Sequence, residues 1–190
     1  MGVKMTYNSP VILTFTLVSF LVVLVSIYLL DLNIYLASPG HFKWTSIQDY
    51  INLITYVFAH ETSGLTGSKF AHFVANFTII LLIGPSVEEK FGAKRLLIMM
   101  LLTAVVTAIL NAILFGDNIV GASGLALMLI ILGSFTNYKK GEIPITFVVI
   151  CIFFLGNEII DAFSDDRISQ FAHIAGGVSG GFFGFYFNRR

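Results

Sequence analysis

Apolar runs separated by charged or turn-forming residues recur along the whole chain. A hydrocarbon core about 30 Å thick is crossed by roughly 20 residues in helical form, so each run can be tested as a span. Six segments qualify: 11–30, opened by Pro10 and closed by Asp31; 70–87, ending at Glu88-Glu89-Lys90; 96–115, between Lys94-Arg95 and Gly116-Asp117-Asn118; 121–135; 143–163; and 168–187. The first is too long for a signal peptide and has no small-residue cleavage site, which makes it an anchor. The fourth is short for a span, which predicts that its start lies below the membrane surface. The expected fold is all-α: a polytopic membrane protein of six transmembrane helices, forming one domain over 1–190 with no internal repeat.

The segment 31–69 is too polar to span and too long for an ordinary connection. Within it Ile47, Ile51, Ile54 and Phe58 recur at helical spacing beside Trp44 and Tyr50, the pattern of a helix lying flat at headgroup level. A long first loop containing an interfacial helix is therefore predicted, against the alternative of a loosely ordered connection.

Composition agrees with a lipid solvent: 56% of the 190 residues are hydrophobic and 12% charged. The formal net charge is zero, so no basic or acidic excess points to nucleic acid. The distribution of cations is more informative. Lys4, Lys90, Lys94, Arg95, Lys139, Lys140, Arg189 and Arg190 collect on one side of the expected bundle, leaving Lys43, Lys69 and Arg167 on the other. Both termini are expected in the cytoplasm, and the starts of the second, fourth and sixth helices face outward. Short loops and no targeting extension lead us to expect a prokaryotic cytoplasmic membrane. Cys151 stands alone in an apolar run and reads as an inert buried thiol.

Those three outward ends hold the few polar side chains inside the spans: His72 and Asn76, Ser123 within Gly121-Ala122-Ser123-Gly124, and His173 within Ala172-His173-Ile174-Ala175-Gly176-Gly177. Each would cost about 1–3 kcal/mol if left unpaired in hydrocarbon, so a shared site at one membrane depth accounts for all four economically. A histidine in reach of Ser123 could take its proton during attack on a carbonyl and return it to the leaving amine, which assigns Ser123 as nucleophile and His173 as general base. Asp161, Asp165 and Asp166 fall in the loop before the sixth helix, so a dyad is expected rather than a triad. His72 and Asn76 share a helix face and could donate to an oxyanion together with the backbone N–H of Ser123. Gly176 and Gly180, with Gly184 following at the same spacing, offer a close-packing face on the sixth helix toward Gly121 and Gly124.

Alternatives accompany each of these readings. Small residues at helix contacts explain Ser123 and the glycines by packing or dimerisation alone, and His72 with Asn76 could form a structural interhelical bond. His60-Glu61 begins like a zinc-peptidase motif, but position 64 is Gly64, so no metal site and no cofactor are expected. His41 reads as a surface residue.

Taken together, His72-Phe73-Val74-Ala75-Asn76, Gly121-Ala122-Ser123-Gly124, Ala172-His173-Ile174-Ala175-Gly176-Gly177 and the turn from Glu88 to Gly92 resemble the motifs of the rhomboid family of intramembrane serine proteases. The resemblance covers the chain in the family's six-helix form. It implies Ser123 as nucleophile, His173 as base, His72 and Asn76 as oxyanion donors, and single-span membrane proteins as substrates, reached laterally past the Phe-rich fifth helix (Phe147, Phe153, Phe154). A catalytically inactive client-binding relative is the first alternative and a small transporter the more distant one. Three departures stand out: Ile51-Asn52 where many members carry Trp-Arg, an insertion-like run over 61–68, and Leu127 where an aromatic residue often stacks on the base.

Overall fold

The computed structural model describes residues 6–61, 70–136, 142–143, 145–149, 152 and 167–188. Among these residues the named helices are, in order, α1 (Pro10–Tyr28), α2 (Asn33–Leu36), α3 (Ile47–Thr55), α4 (Ala71–Phe91), α5 (Ala93–Leu114), α6 (Ser123–Gly133) and α7 (Arg167–Asn188), with a 3₁₀ turn at Tyr56–Phe58. The one extended pairing among the described residues is an isolated bridge between Ser38 and Ile119. Among those residues α1, α4 and α5 are each long and apolar enough to cross a bilayer, and the chain is an all-α, polytopic membrane protein. Most of the fifth predicted span, 143–163, lies outside the described residues, of which 145–149 are helical.

The charged cluster after the second predicted span is not a simple stop. Helix α4 continues through it to Phe91, because Glu88 is buried while Glu89 and Lys90 are exposed. The Glu88 carboxylate accepts the backbone N–H groups of Val11 and Ile12, each at 3.0 Å. Those N–H groups lie at the start of α1, where no intrahelical partner exists and where a negative charge is favoured. Pro10 suits the first helical position because it has no N–H to satisfy. Gly92, at φ +84°, ends α4 by donating its N–H to Glu88 O at 2.8 Å and leads directly into α5.

Helix α6 is the centre of the bundle, with Leu125 to Leu129, Ile131 and Leu132 all buried. Its 11 residues span about 16 Å, roughly half the hydrocarbon thickness. Helix α7 runs along it through glycines, and α5 turns Leu96, Met99, Met100, Thr103, Ala104 and Thr107 inward at helical spacing. Phe147 lies against Phe135 and Phe185, with ring centroids 5.1 and 5.6 Å away. It is thus packed into the α6–α7 seam, while Phe153 and Phe154 lie outside the described residues.

In the long loop, Ser46 caps α3 by accepting the Asp49 N–H at 3.2 Å while its hydroxyl donates to Asp49 Oδ1 at 2.8 Å. Ile47 and Ile51 point outward with Trp44 and Tyr50, an apolar face suited to an interface; Asn52, Leu53, Tyr56 and Val57 point inward. Phe58, the last member of the stripe, turns in against Phe15 with an edge contact at 5.1 Å. At the Asn52 departure a neutral ladder docks the loop. Gln48 Nε2 donates to Asn52 Oδ1 at 2.8 Å and Tyr35 O at 3.2 Å, and the Thr55 hydroxyl shares its proton between Asn52 Oδ1 at 3.1 Å and Leu36 O at 3.4 Å.

Candidate active site

A polar cavity of about 480 Å³ opens between α4, α6, α7 and the segment leading into α6. Its lining includes His72 and Asn76 from α4, Ser123 and Gly124 from α6, His173 from α7, and Gly121. The four polar side chains singled out from the sequence therefore meet in one space. Gly176 and Gly180 lie deeper, along the α6–α7 seam.

Backbone geometry delivers Ser123 to this cavity. Gly121 has φ +120°, a conformation that side-chain-bearing residues rarely adopt. Its N–H donates to Tyr56 O at 3.0 Å, and the next N–H, of Ala122, donates to His60 Nε2 at 3.3 Å. The loop of residues 56–60 thus holds the two residues before the serine. Ser123 is the first residue of α6. N–H groups of a first helical turn have no intrahelical acceptor and form the positive end of the helix, and Ser123, Gly124 and Leu125 of that turn all line the cavity.

Close approach of α7 completes the arrangement. A Cβ at Gly124 would stand 2.9 Å from Ala172 O, and one at Gly176 would collide with the Gly124 backbone. At Gly180 it would lie 2.6 Å from Met128 O. The tightest backbone contact between the helices is therefore Gly124, next to Ser123, against Gly176, one turn beyond His173.

Asn76 is buried, and its Nδ2 has no hydrogen-bond partner. A buried unsatisfied donor costs about 1–3 kcal/mol, and this one belongs to a residue that lines the cavity. Leu127, four residues after Ser123, is buried on α6. Glu61 lines the cavity and is exposed, and the rest of the insertion-like run lies outside the described residues. Asp161, Asp165 and Asp166 lie outside them too, as does Gly64.

One residue of this architecture, His60, carried no functional signal in the sequence beyond an incomplete metal motif. It is 1% exposed, its ring stands edge-on to His72 at 5.4 Å, and Phe73 and Phe77 wall it in. Accepting the Ala122 N–H at Nε2 requires the proton on Nδ1, which faces Phe58 O at 3.3 Å. Burial, reinforced by the neighbouring His72, pushes His60 down to about 4, so it is neutral at physiological pH. The segment His60 to His72 holds no helical or alternating pattern from which such a buttress could have been read.

A family model described as Rhomboid domain matches residues 48–190, which includes every candidate site residue and the buttressing loop. No curated protein matches the chain.

Proposed function

The chain belongs to the rhomboid family, and from that premise we propose that it is an intramembrane serine endopeptidase that cleaves single-span membrane proteins in or near their span. The observation that carries this reading is the convergence of Ser123, His173, His72 and Asn76, from three helices, on one polar cavity. In the proposed reaction Ser123 Oγ attacks the scissile carbonyl carbon while His173 accepts the hydroxyl proton. The resulting oxyanion takes hydrogen bonds from Asn76 Nδ2, His72 and the Ser123 N–H at the positive end of α6. His173 then gives its proton to the departing amine, leaving an ester on Ser123. A water molecule, deprotonated by His173, hydrolyses that ester and restores the serine.

Water for the second step is consistent with a polar cavity of this size, far above the volume one molecule needs. The non-helical approach at 115–122 is tolerable at membrane depth because it lines that cavity rather than lipid. A substrate helix must unwind locally before its carbonyls can be attacked, so segments with Gly or Pro near the scissile bond are the preferred class. By the cation distribution, both termini lie in the cytoplasm and the cavity opens to the outer face. We read the whole of 1–190 as one rhomboid domain.

A fluorophosphonate probe tests the assignment without knowledge of the substrate. Labelling confined to Ser123, abolished by Ser123→Ala and strongly slowed by His173→Ala, supports the hydrolase. Absence of labelling in the natural protein moves the inactive, client-binding reading ahead.

A further inference from the structure

A second cavity, of about 400 Å³, lies between α1 and α5 and is lined almost entirely by carbon. One wall is Thr14 and Val18 of α1; the other is Leu97, Leu101 and Ala104 of α5. Val18, Leu97 and Leu101 are each more than a third exposed, so the slot opens sideways out of the bundle, between two helices that are both apolar enough to span a bilayer. The medium it opens to is therefore lipid. We propose that this slot is a binding site for one acyl chain of an anionic phospholipid.

Length and charge both select that occupant. From Ala93 at the mouth to Ala104 at the closed end the slot follows α5 for about 16 Å at 1.5 Å per residue. One leaflet of a 30 Å hydrocarbon core is about 15 Å deep, so the slot accepts a single chain and ends where that chain ends. Its mouth is at the cationic end of the bundle. Lys94, exposed and three and seven residues before Leu97 and Leu101, shares their helix face and stands where the phosphate of such a lipid would lie. Arg95 is turned to the other side, over the ring of Phe187 at 5.6 Å, and Glu89 opens onto the adjacent groove beside Pro85 and Ser86. That groove shares Pro10 and Ala93 with the slot, so Glu89 stands near the mouth as well, and Lys94 is the cation on the slot's own helix face.

The closed end gives the site a consequence. Val57 and Leu125 line both cavities, so the two side chains form a shared wall between the slot and the polar site. Leu125 is two residues beyond Ser123 in the first turn of α6, and Val57 follows Tyr56, whose carbonyl holds Gly121. A chain filling the slot supports the start of α6 from behind.

The test is photocrosslinking in proteoliposomes with phosphatidylglycerol carrying a diazirine on its acyl chain, against the same probe built on phosphatidylcholine. It reads binding alone and is independent of whether the protein cleaves anything. The expected result is crosslinks concentrated on Val18, Leu97 and Leu101, several-fold stronger for phosphatidylglycerol. Leu101→Trp, which fills the slot, should remove them, and Lys94→Gln should erase the headgroup preference. Val18→Trp fills the slot from the opposite wall and serves if the first variant does not fold. Val106→Trp, on a lipid-facing part of α5 outside the slot, should change nothing. Crosslinks spread evenly over lipid-facing positions such as Val106 and Val178, survival of the slot crosslinks in both filled variants, or crosslinks to a second protein chain in their place would each overturn the proposal.

Discussion

Replacing Gly176 with alanine puts one methyl group into the closest contact between α6 and α7. The new Cβ would stand 2.9 Å from Gly124 Cα, and nearer to the Gly124 carbonyl, where ordinary contacts begin at 3.4 Å. Neither neighbour is a flexible side-chain end, so the helices must part by on the order of 1 Å, at an overpacking cost of about 1–3 kcal/mol. Alanine's better helix propensity offsets about 1 kcal/mol of that in stability but does nothing for the geometry. Ser123 adjoins Gly124, and His173 lies one turn before Gly176. A displacement of this size between the proposed nucleophile and base should cost on the order of 10²-fold in rate. The assay is cleavage of a tagged single-span substrate in proteoliposomes, with melting temperature measured in parallel. Gly181→Ala is the control on the same helix, since its Cβ meets nothing nearer than Phe147 Cε2 at 3.9 Å. Near-normal turnover by Gly176→Ala, or equal damage from Gly181→Ala, would refute the claim that glycine packing sets the catalytic distance.

Asn76→Leu keeps the branched heavy-atom outline, with bulkier methyl ends that face the cavity, and removes the unpartnered Nδ2 donor; kcat should fall by about 10²-fold while the melting temperature holds or rises. Glu88→Gln leaves one acceptor for the two N–H groups of α1 and should lower stability by about 1.5–3 kcal/mol, read as a lower melting temperature with little change in KM. For His60, whose folded value near 4 lies below the ordinary 6.5, the unfolded chain binds the extra proton first. Its contribution to stability is therefore full above pH 6.5, declines as pH falls from 6.5 to about 4, and totals about 3 kcal/mol over that window. Melting curves across the window should show this slope in the natural protein and lose it in His60→Gln, whose amide can still accept the Ala122 N–H.

The periodic features were the legible ones. Apolar runs with charged ends marked α1, α4 and α5, and the rarity of polar residues within spans singled out Ser123, His173, His72 and Asn76. The spacing of Gly176, Gly180 and Gly184 announced a close-packing face that the structure uses against α6. Interactions made by single residues across long stretches of sequence were not legible. Glu88 caps a helix 76 positions earlier, so a carboxylate that reads as a membrane boundary proves to be a buried cap. His60 supports Ala122 across 62 positions from a segment with no repeating pattern. The Gln48–Asn52–Thr55 ladder follows helical spacing, but nothing in the sequence says that its targets are the carbonyls of Tyr35 and Leu36.

The most direct measurement is cleavage of a tagged single-span protein reconstituted with the natural chain, with Ser123→Ala and with His173→Ala, the folding of each variant verified by its melting temperature. The account predicts cleavage by the natural chain and loss in both variants to the level of the protein-free control. Cleavage that survives in either folded variant would contradict the Ser123–His173 assignment.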